Sequence, residues 1–125
     1  MEDQRVKYET AILAQSKGFE EKGEDFYTTN KELCAYMFSF SNTYMCEAPS
    51  QSLLQKWLRE VHNIYVEIRL ENSKDYIRFY VVIWGNPKGN HNTSSYTLDH
   101  MCDKYEIALE AGLFQALKLI KNESN

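Results

Sequence analysis

The side chains that could do chemistry are few and scattered. His62, His91 and His100 are the histidines of this 125-residue chain, and Cys34, Cys46 and Cys102 its cysteines. His100-x-Cys102 could open a metal site, but no second ligand pair stands at useful spacing, so no metal is expected. No base neighbours any of the three thiols. Buried structural cysteine is the usual outcome, so reduced thiols are expected and no nucleophile is assigned. Gly85-Asn86-Pro87-Lys88-Gly89-Asn90 lacks the spacing and the following helix of a phosphate-binding loop. Glu20-Glu21 and Glu24-Asp25 fall in a stretch without periodicity and read as solvated charge. The expectation is a chain without catalytic residues, cofactor or metal, and not an enzyme.

Recognition chemistry is better represented. Tyr65, Tyr76, Tyr80 and Trp84 alternate onto one side of two successive strands, with Arg69 and Arg78 among them. Aromatics interleaved with arginine stack bases or anchor protein interfaces, where Tyr, Trp and Arg are enriched. Three readings compete, in this order: residues 1–47 fold over this face, a protein partner covers it, or nucleic acid binds it. A second candidate surface is the outer side of the last helix, where Ile107 and Phe114 are seven residues apart and nearly eclipsed. They share that side with Glu110, Lys118 and Lys121. Two large apolar groups on a charged face need a covering, either the N-terminal helix or another chain; if a second copy, a twofold dimer is the commonest solution.

The elements that position these residues centre on residues 49–84. Ser52 and Gln55 fit a capping box. Leu53, Leu54, Trp57, Leu58 and Val61 then share one helical face, opposite Gln55, Lys56, Arg59 and Glu60. Asn63 suits the left-handed C-terminal cap. Ile64, Val66, Ile68 and Leu70 alternate with Tyr65, Glu67, Arg69 and Glu71, and Ile77, Phe79, Val81 and Ile83 alternate likewise. With Asn72 paired to Asp75 around the turn, Leu70 faces Ile77, Ile68 faces Phe79 and Val66 faces Val81, so both apolar sets share a face.

Around this core, residues 4–17 predict a helix stopped by Gly18, and residues 19–30 a loop. Residues 31–46 fit either strand alternation through Tyr36, Phe38 and Phe40 or a helical turn. Residues 85–95 read as a polar loop, and residues 94–101 as a short third strand through Tyr96 and Leu98. Asp103 to Glu106 forms a second capping box, opening a helix to about Lys121. Its buried face is Tyr105, Leu109, Gly112, Leu113, Ala116 and Ile120, with Ala108 and Leu119 at the margin. The predicted fold is α+β: a two-layer α-β-β-(β)-α core over 49–121 with an antiparallel sheet, both helices on its Ile64/Phe79 face. An N-terminal helix and an irregular aromatic segment (1–48) precede it and a tail (122–125) follows, in one domain.

Charge and cysteine usage narrow the partners. The net charge is −4, and it sits in residues 1–49, which hold five Lys/Arg against nine Asp/Glu, whereas residues 50–125 hold nine of each. An acidic arm beside a neutral core lacks the clustered positive charge that phosphate backbones require. Three cysteines without paired spacing suit a reducing compartment. No apolar run approaches the ~20 residues that span a bilayer, and the charged start carries no signal-peptide h-region. A soluble cytoplasmic protein, with no membrane partner, is expected.

Two resemblances bear on these expectations. APSQSLLQKWLREVHNI and YEIALEAGLFQALKLI resemble paired blocks, APTQSLLQKWLRE…H and TYEEALEAGL…ALKLI, of small uncharacterised proteins from phages and mobile elements of gut bacteria. The likeness covers residues 48–70 and 103–121, with a weaker third block at Lys17-Gly18-Phe19. It departs at Ser50, where threonine is usual, and at Ile107 and Phe114, where polar residues are usual. It implies an accessory protein meeting a host or phage protein, for which inhibition of a host defence complex fits the size and acidity, and it carries no activity. The order α-β-β-(β)-α is also similar to the double-stranded-RNA-binding domain. That family opens its last helix with a Lys-Lys-x-Ala-Lys cluster, where this chain has Asp103-Lys104-Tyr105-Glu106-Ile107-Ala108-Leu109-Glu110. The resemblance therefore implies topology and no RNA role.

Overall fold

The computed structural model describes residues 4–38, 43–85, 94–97 and 103–120, with backbone alone for 94–97. The elements run α1 (Tyr8–Ser16), β1 (Asp25–Thr28), β2 (Leu33–Ala35), a single 3-10 turn (Tyr36–Phe38), β3 (Tyr44–Glu47), α2 (Gln51–His62), β4 (Ile64–Asn72), β5 (Ile77–Gly85), β6 (Ser94–Thr97) and α3 (Tyr105–Leu119). They form two antiparallel three-stranded sheets, ordered β2-β1-β3 and β4-β5-β6. This is the expected α+β fold, with the α-β-β-β-α order in its second part.

Both core helices lie on the expected face of the larger sheet. α3 packs on β4 and β5, and α2 on β4 and α3. Ile64, Val66, Val81 and Ile83 meet Leu54, Trp57, Leu58, Leu109, Leu113, Ala116 and Leu117 in one buried cluster. Asn63 caps α2 in the left-handed conformation, φ 57. Gly112 is explained by the sheet: a Cβ there would lie 2.7 Å from Val81 Cγ1 and 2.8 Å from Val66 Cγ1.

Several local expectations need correction. The N-cap of α2 is Ser50, whose hydroxyl accepts from the Leu53 N–H at 3.2 Å, rather than Ser52. Gln55, freed from a capping box, donates instead to the Val66 carbonyl at 2.7 Å. Val61 is exposed at the helix margin, and α3 starts after Lys104 with no side-chain cap among the described residues. Tyr105 is exposed, whereas Leu117 and Glu110 are buried. The β4–β5 register is displaced by two residues: Asn72 pairs with Ile77, Leu70 with Phe79, Ile68 with Val81 and Val66 with Ile83. The Ser73 N–H donates to the Tyr76 carbonyl at 2.8 Å, closing the turn one pair beyond the strands. Because the displacement is even, each side chain keeps its face.

The segment before α2 is more ordered than expected. The N-terminal helix begins at Tyr8, because Arg5 is held in a β-bridge with Ser50 and the Val6 N–H donates to the Pro49 carbonyl at 2.9 Å. Part of the expected loop is the central strand β1, and the aromatic segment is a sheet rather than irregular. Phe26, Tyr27 and Thr28 are buried in succession, so no alternation marks the strand. α1 packs on α3 and β3, which places the N-terminal segment on the helical side of the core. Ser94–Thr97 is the expected third strand; residues 98–101 and most of the 85–95 loop lie outside the described residues.

Candidate interaction surface

β4 and β5 present their alternate positions on the side of the sheet away from the helices. The cross-strand pairs there are Tyr65 with Trp84, Glu67 with Val82, Arg69 with Tyr80 and Glu71 with Arg78. Tyr65, Tyr76 and Trp84 are exposed, with Tyr65 at 46%. Arg69 and Arg78 are also exposed, Tyr80 is half-buried, and Val82 is buried beneath them. Among the described residues the first of the three readings, that residues 1–47 cover this face, finds no support: Tyr65, Tyr76 and Trp84 stay exposed, and α1 packs on α3 and β3.

Glu67 organises the face. Its carboxylate accepts from Trp84 Nε1 at 2.8 Å and from Arg69 Nε and Nη2 at 3.2 and 3.3 Å. The Arg69 and Trp84 hydrogen bonds hold its carboxyl below the usual carboxylate range. Glu67 and Tyr80 in turn raise the Arg69 guanidinium. Arg69 also stacks over the Trp84 ring at 5.8 Å, and Arg78 over the Tyr76 ring at 4.3 Å. Tyr76 OH reaches Glu71 Oε1 at 3.5 Å. Each arginine thus shares the face with a carboxylate, and the surface is charge-balanced and pre-organised. Glu67 and Glu71 were missed as members of the site, although their even spacing from Arg69 places them on its face.

Ile107 and Phe114 belong to a different surface. Ile107 is exposed, and Phe114 is half-buried with the Lys118 ammonium 4.6 Å from its ring centre. Glu110, expected beside them in solvent, is buried where α1 packs. It accepts from the Lys7 N–H at 3.0 Å, the Thr10 hydroxyl at 2.5 Å and Gln51 Nε2 at 3.1 Å. A helix N-terminus and two polar side chains are what make a buried carboxylate tolerable there. Lys121 lies outside the described residues.

A second buried carboxylate, Glu47, latches the smaller sheet. It accepts from the Tyr36 hydroxyl and from the Gly23 N–H, the latter at 3.0 Å. Phe26 packs beneath the Tyr36 and Tyr44 rings at 4.7 and 5.6 Å. Burial, then hydrogen bonding to Glu47, raises the Tyr36 phenol and pushes Tyr44 up to about 12. Both phenols stay protonated at neutral pH, so they act as donors to the carboxylate and as packing surface.

The remaining candidates among the described residues do not assemble. Among the described residues no group of three His, Cys, Asp or Glu side chains could hold a metal. His91, His100 and Cys102 lie outside those residues. His62 packs edge-on against Trp57, with ring centres 4.6 Å apart. Burial pushes the Cys46 thiol up to about 11. Asp25 is not simply solvated: Arg5 Nε donates to it at 2.5 Å, and Arg5 Nη2 reaches Glu24 at 3.4 Å. Among the described residues no helix is long and apolar enough to cross a membrane. Comparison with protein-family models, curated proteins and solved structures returned no match.

Proposed function

We propose that this chain is a non-enzymatic protein-interaction module that meets its partner through the outer face of β4 and β5. The observation that carries the reading is the exposure of Tyr65, Tyr76 and Trp84 on paired strands, with Arg69 over Trp84, Arg78 over Tyr76, and Glu67 and Glu71 on the same face. Rigid aromatics with few rotamers lose little entropy on contact, and arginine and aromatic groups dominate interface energetics. Balanced charge favours a protein surface over a phosphate backbone, whose affinity depends on uncompensated cations. The likeness of residues 48–70 and 103–121 to small phage and mobile-element proteins supports a host or phage protein as the partner.

The test is affinity capture from the native host with the wild-type chain and a Tyr65→Ala/Trp84→Ala variant, read by mass spectrometry. A protein retained by the wild type and lost by the folded variant is the expected result. Equal retention by both would move the interface elsewhere. Retention of the wild type on an oligonucleotide column at low salt, abolished by Arg78→Ala, would replace the reading with nucleic-acid binding.

A further inference from the structure

β4 is an edge strand of its sheet, hydrogen-bonded only to β5 among the described residues. Two contacts establish which of its backbone groups point outward. The Ser73 N–H donates to the Tyr76 carbonyl in the same register as the strands, so the odd-numbered positions of β4 bond to β5. Gln55 of α2 takes the Val66 carbonyl from the other side at 2.7 Å, so the even-numbered positions face the free edge. Gln55 and α2 thereby occupy the first half of that edge. Ile68, Leu70 and Asn72 remain, each with an outward N–H and C=O.

The same half of the hairpin overhangs the helices. Ile64 and Val66 are buried on the inner face and Ile68 is half-buried, but Leu70 is 55% and Ile77 57% exposed on that apolar side. Natural edge strands are blunted by proline, lysine, a bulge or a covering element. Residues 68–72 carry no proline or lysine, and their pairing with β5 continues without a bulge. Their charges, Arg69 and Glu71, alternate on one face in an order that complements itself under a twofold axis.

We infer that residues 68–72 of β4 pair antiparallel with the same residues of a second copy, about a twofold axis through Leu70. In this register Leu70 and its symmetry mate exchange backbone hydrogen bonds, as do Ile68 and Asn72. Arg69 of each copy stands opposite Glu71 of the other, so two opposite-charge pairs form on the outer face. On the inner face the two Leu70 side chains meet and cover the overhang. The neighbouring register, centred on Ile68, would also oppose Glu67 and Arg69, but it requires the Val66 carbonyl that Gln55 already holds. Pairing joins the two sheets into six strands and brings the two aromatic faces side by side. The inference is independent of partner binding by that face and can fail without it.

The experiment is light scattering on the whole chain together with cysteine cross-linking. The wild type is expected to be a dimer at high protein concentration. Leu70→Lys sets two like charges at the axis and is expected to give a monomer with unchanged circular dichroism, since Leu70 is more than half exposed. Arg69→Glu weakens the dimer by about tenfold, and Arg69→Glu with Glu71→Arg restores it. Hydrogen-bonded antiparallel pairs hold their Cα atoms about 5.5 Å apart, within reach of a disulfide. Leu70→Cys is therefore expected to cross-link under mild oxidation beyond the wild-type background, and Ile107→Cys is not. A wild type that stays monomeric overturns the inference. So does a dimer that survives Leu70→Lys and is dissolved by Phe114→Glu, which would place the twofold axis on α3.

Discussion

The Thr10 hydroxyl donates to Glu110 Oε2 at 2.5 Å, joining α1 to α3 across a separation of 100 residues. The Lys7 N–H at the start of α1 and the Gln51 amide at the start of α2 converge on the same carboxylate. α1 has no side-chain cap of its own, so Glu110 serves as its N-terminal anion. Removing it strands the buried Thr10 hydroxyl and the Lys7 N–H, and leaves the Gln51 amide with only the Glu106 carbonyl. Glu110→Ala is expected to cost on the order of 3 kcal/mol, measured by urea unfolding, with accelerated amide exchange concentrated in α1. A loss below about 0.5 kcal/mol, within the range of an ordinary surface change, would show that water replaces the carboxylate.

Trp57 lies where α2 meets both the sheet and the N-terminal segment. It is buried, with the Phe19 ring edge-on at 5.2 Å and His62 on its other side. Trp57→Ala removes a large ring from a packed cluster and is expected to destabilise the fold by roughly 3–5 kcal/mol. Calorimetry checks this, and a thermal midpoint lowered by only a degree or two would count against the packing described for α2.

How much of this was legible follows from what each feature depends on. The faces of α2, β4 and β5 were readable because the apolar positions of 53–58, 64–68 and 79–83 repeat at helical and strand periods. That reading survives an even error in register. The register itself was misread because the sequence does not mark which pair, Asn72–Asp75 or Ser73–Tyr76, closes the turn. The cap was misread because Ser50 and Ser52 both suit an N-cap. β1 was invisible because three consecutive residues are buried. Glu110 looked solvated because its donors arrive from α1 and α2, and tertiary convergence leaves no local mark. The outer aromatic face was legible as six residues, yet its organising carboxylate, Glu67, was overlooked beside the more conspicuous rings.

His62 is expected to make stability fall on mild acidification. Burial lowers its pKa below the ordinary histidine value, and Nε2 is buried with no hydrogen-bond partner among the described residues. In the unfolded chain the imidazole takes a proton at its ordinary pKa, near 6.5. Between that value and the lower folded pKa the unfolded state binds more protons, so stability declines as pH falls through this window. His62→Gln should flatten the dependence of the thermal midpoint between neutral pH and about pH 5. Parallel profiles for the two proteins would assign the acid sensitivity to the carboxylates.

Cys46 is expected to resist alkylation in the native state. It is fully buried, and burial, reinforced by the neighbouring Glu47, leaves little thiolate at neutral pH. Peptide mapping after brief iodoacetamide treatment should find Cys34, which is partly exposed, modified well before Cys46. Denaturant should abolish the difference. Equal native rates would mean that β3 opens readily.

Gly112 sets two opposing magnitudes against each other. Alanine in a helix interior is better than glycine by about 1 kcal/mol, so an unpacked α3 would be stabilised by Gly112→Ala. Here the new Cβ would stand 2.7 Å from Val81 Cγ1 and 2.8 Å from Val66 Cγ1. Both valines are buried, and a branched side chain held in a strand has few rotamers with which to withdraw. Overpacking of this kind typically costs about 1–3 kcal/mol, so the strain should win and the variant should lose up to roughly 2 kcal/mol net. Combining it with Val81→Ala makes the decision sharper. If close packing on the sheet is the cause, the double variant should be more stable than the two single losses sum to. Strict additivity, or a stabilised single variant, would show that α3 stands off the sheet at this point.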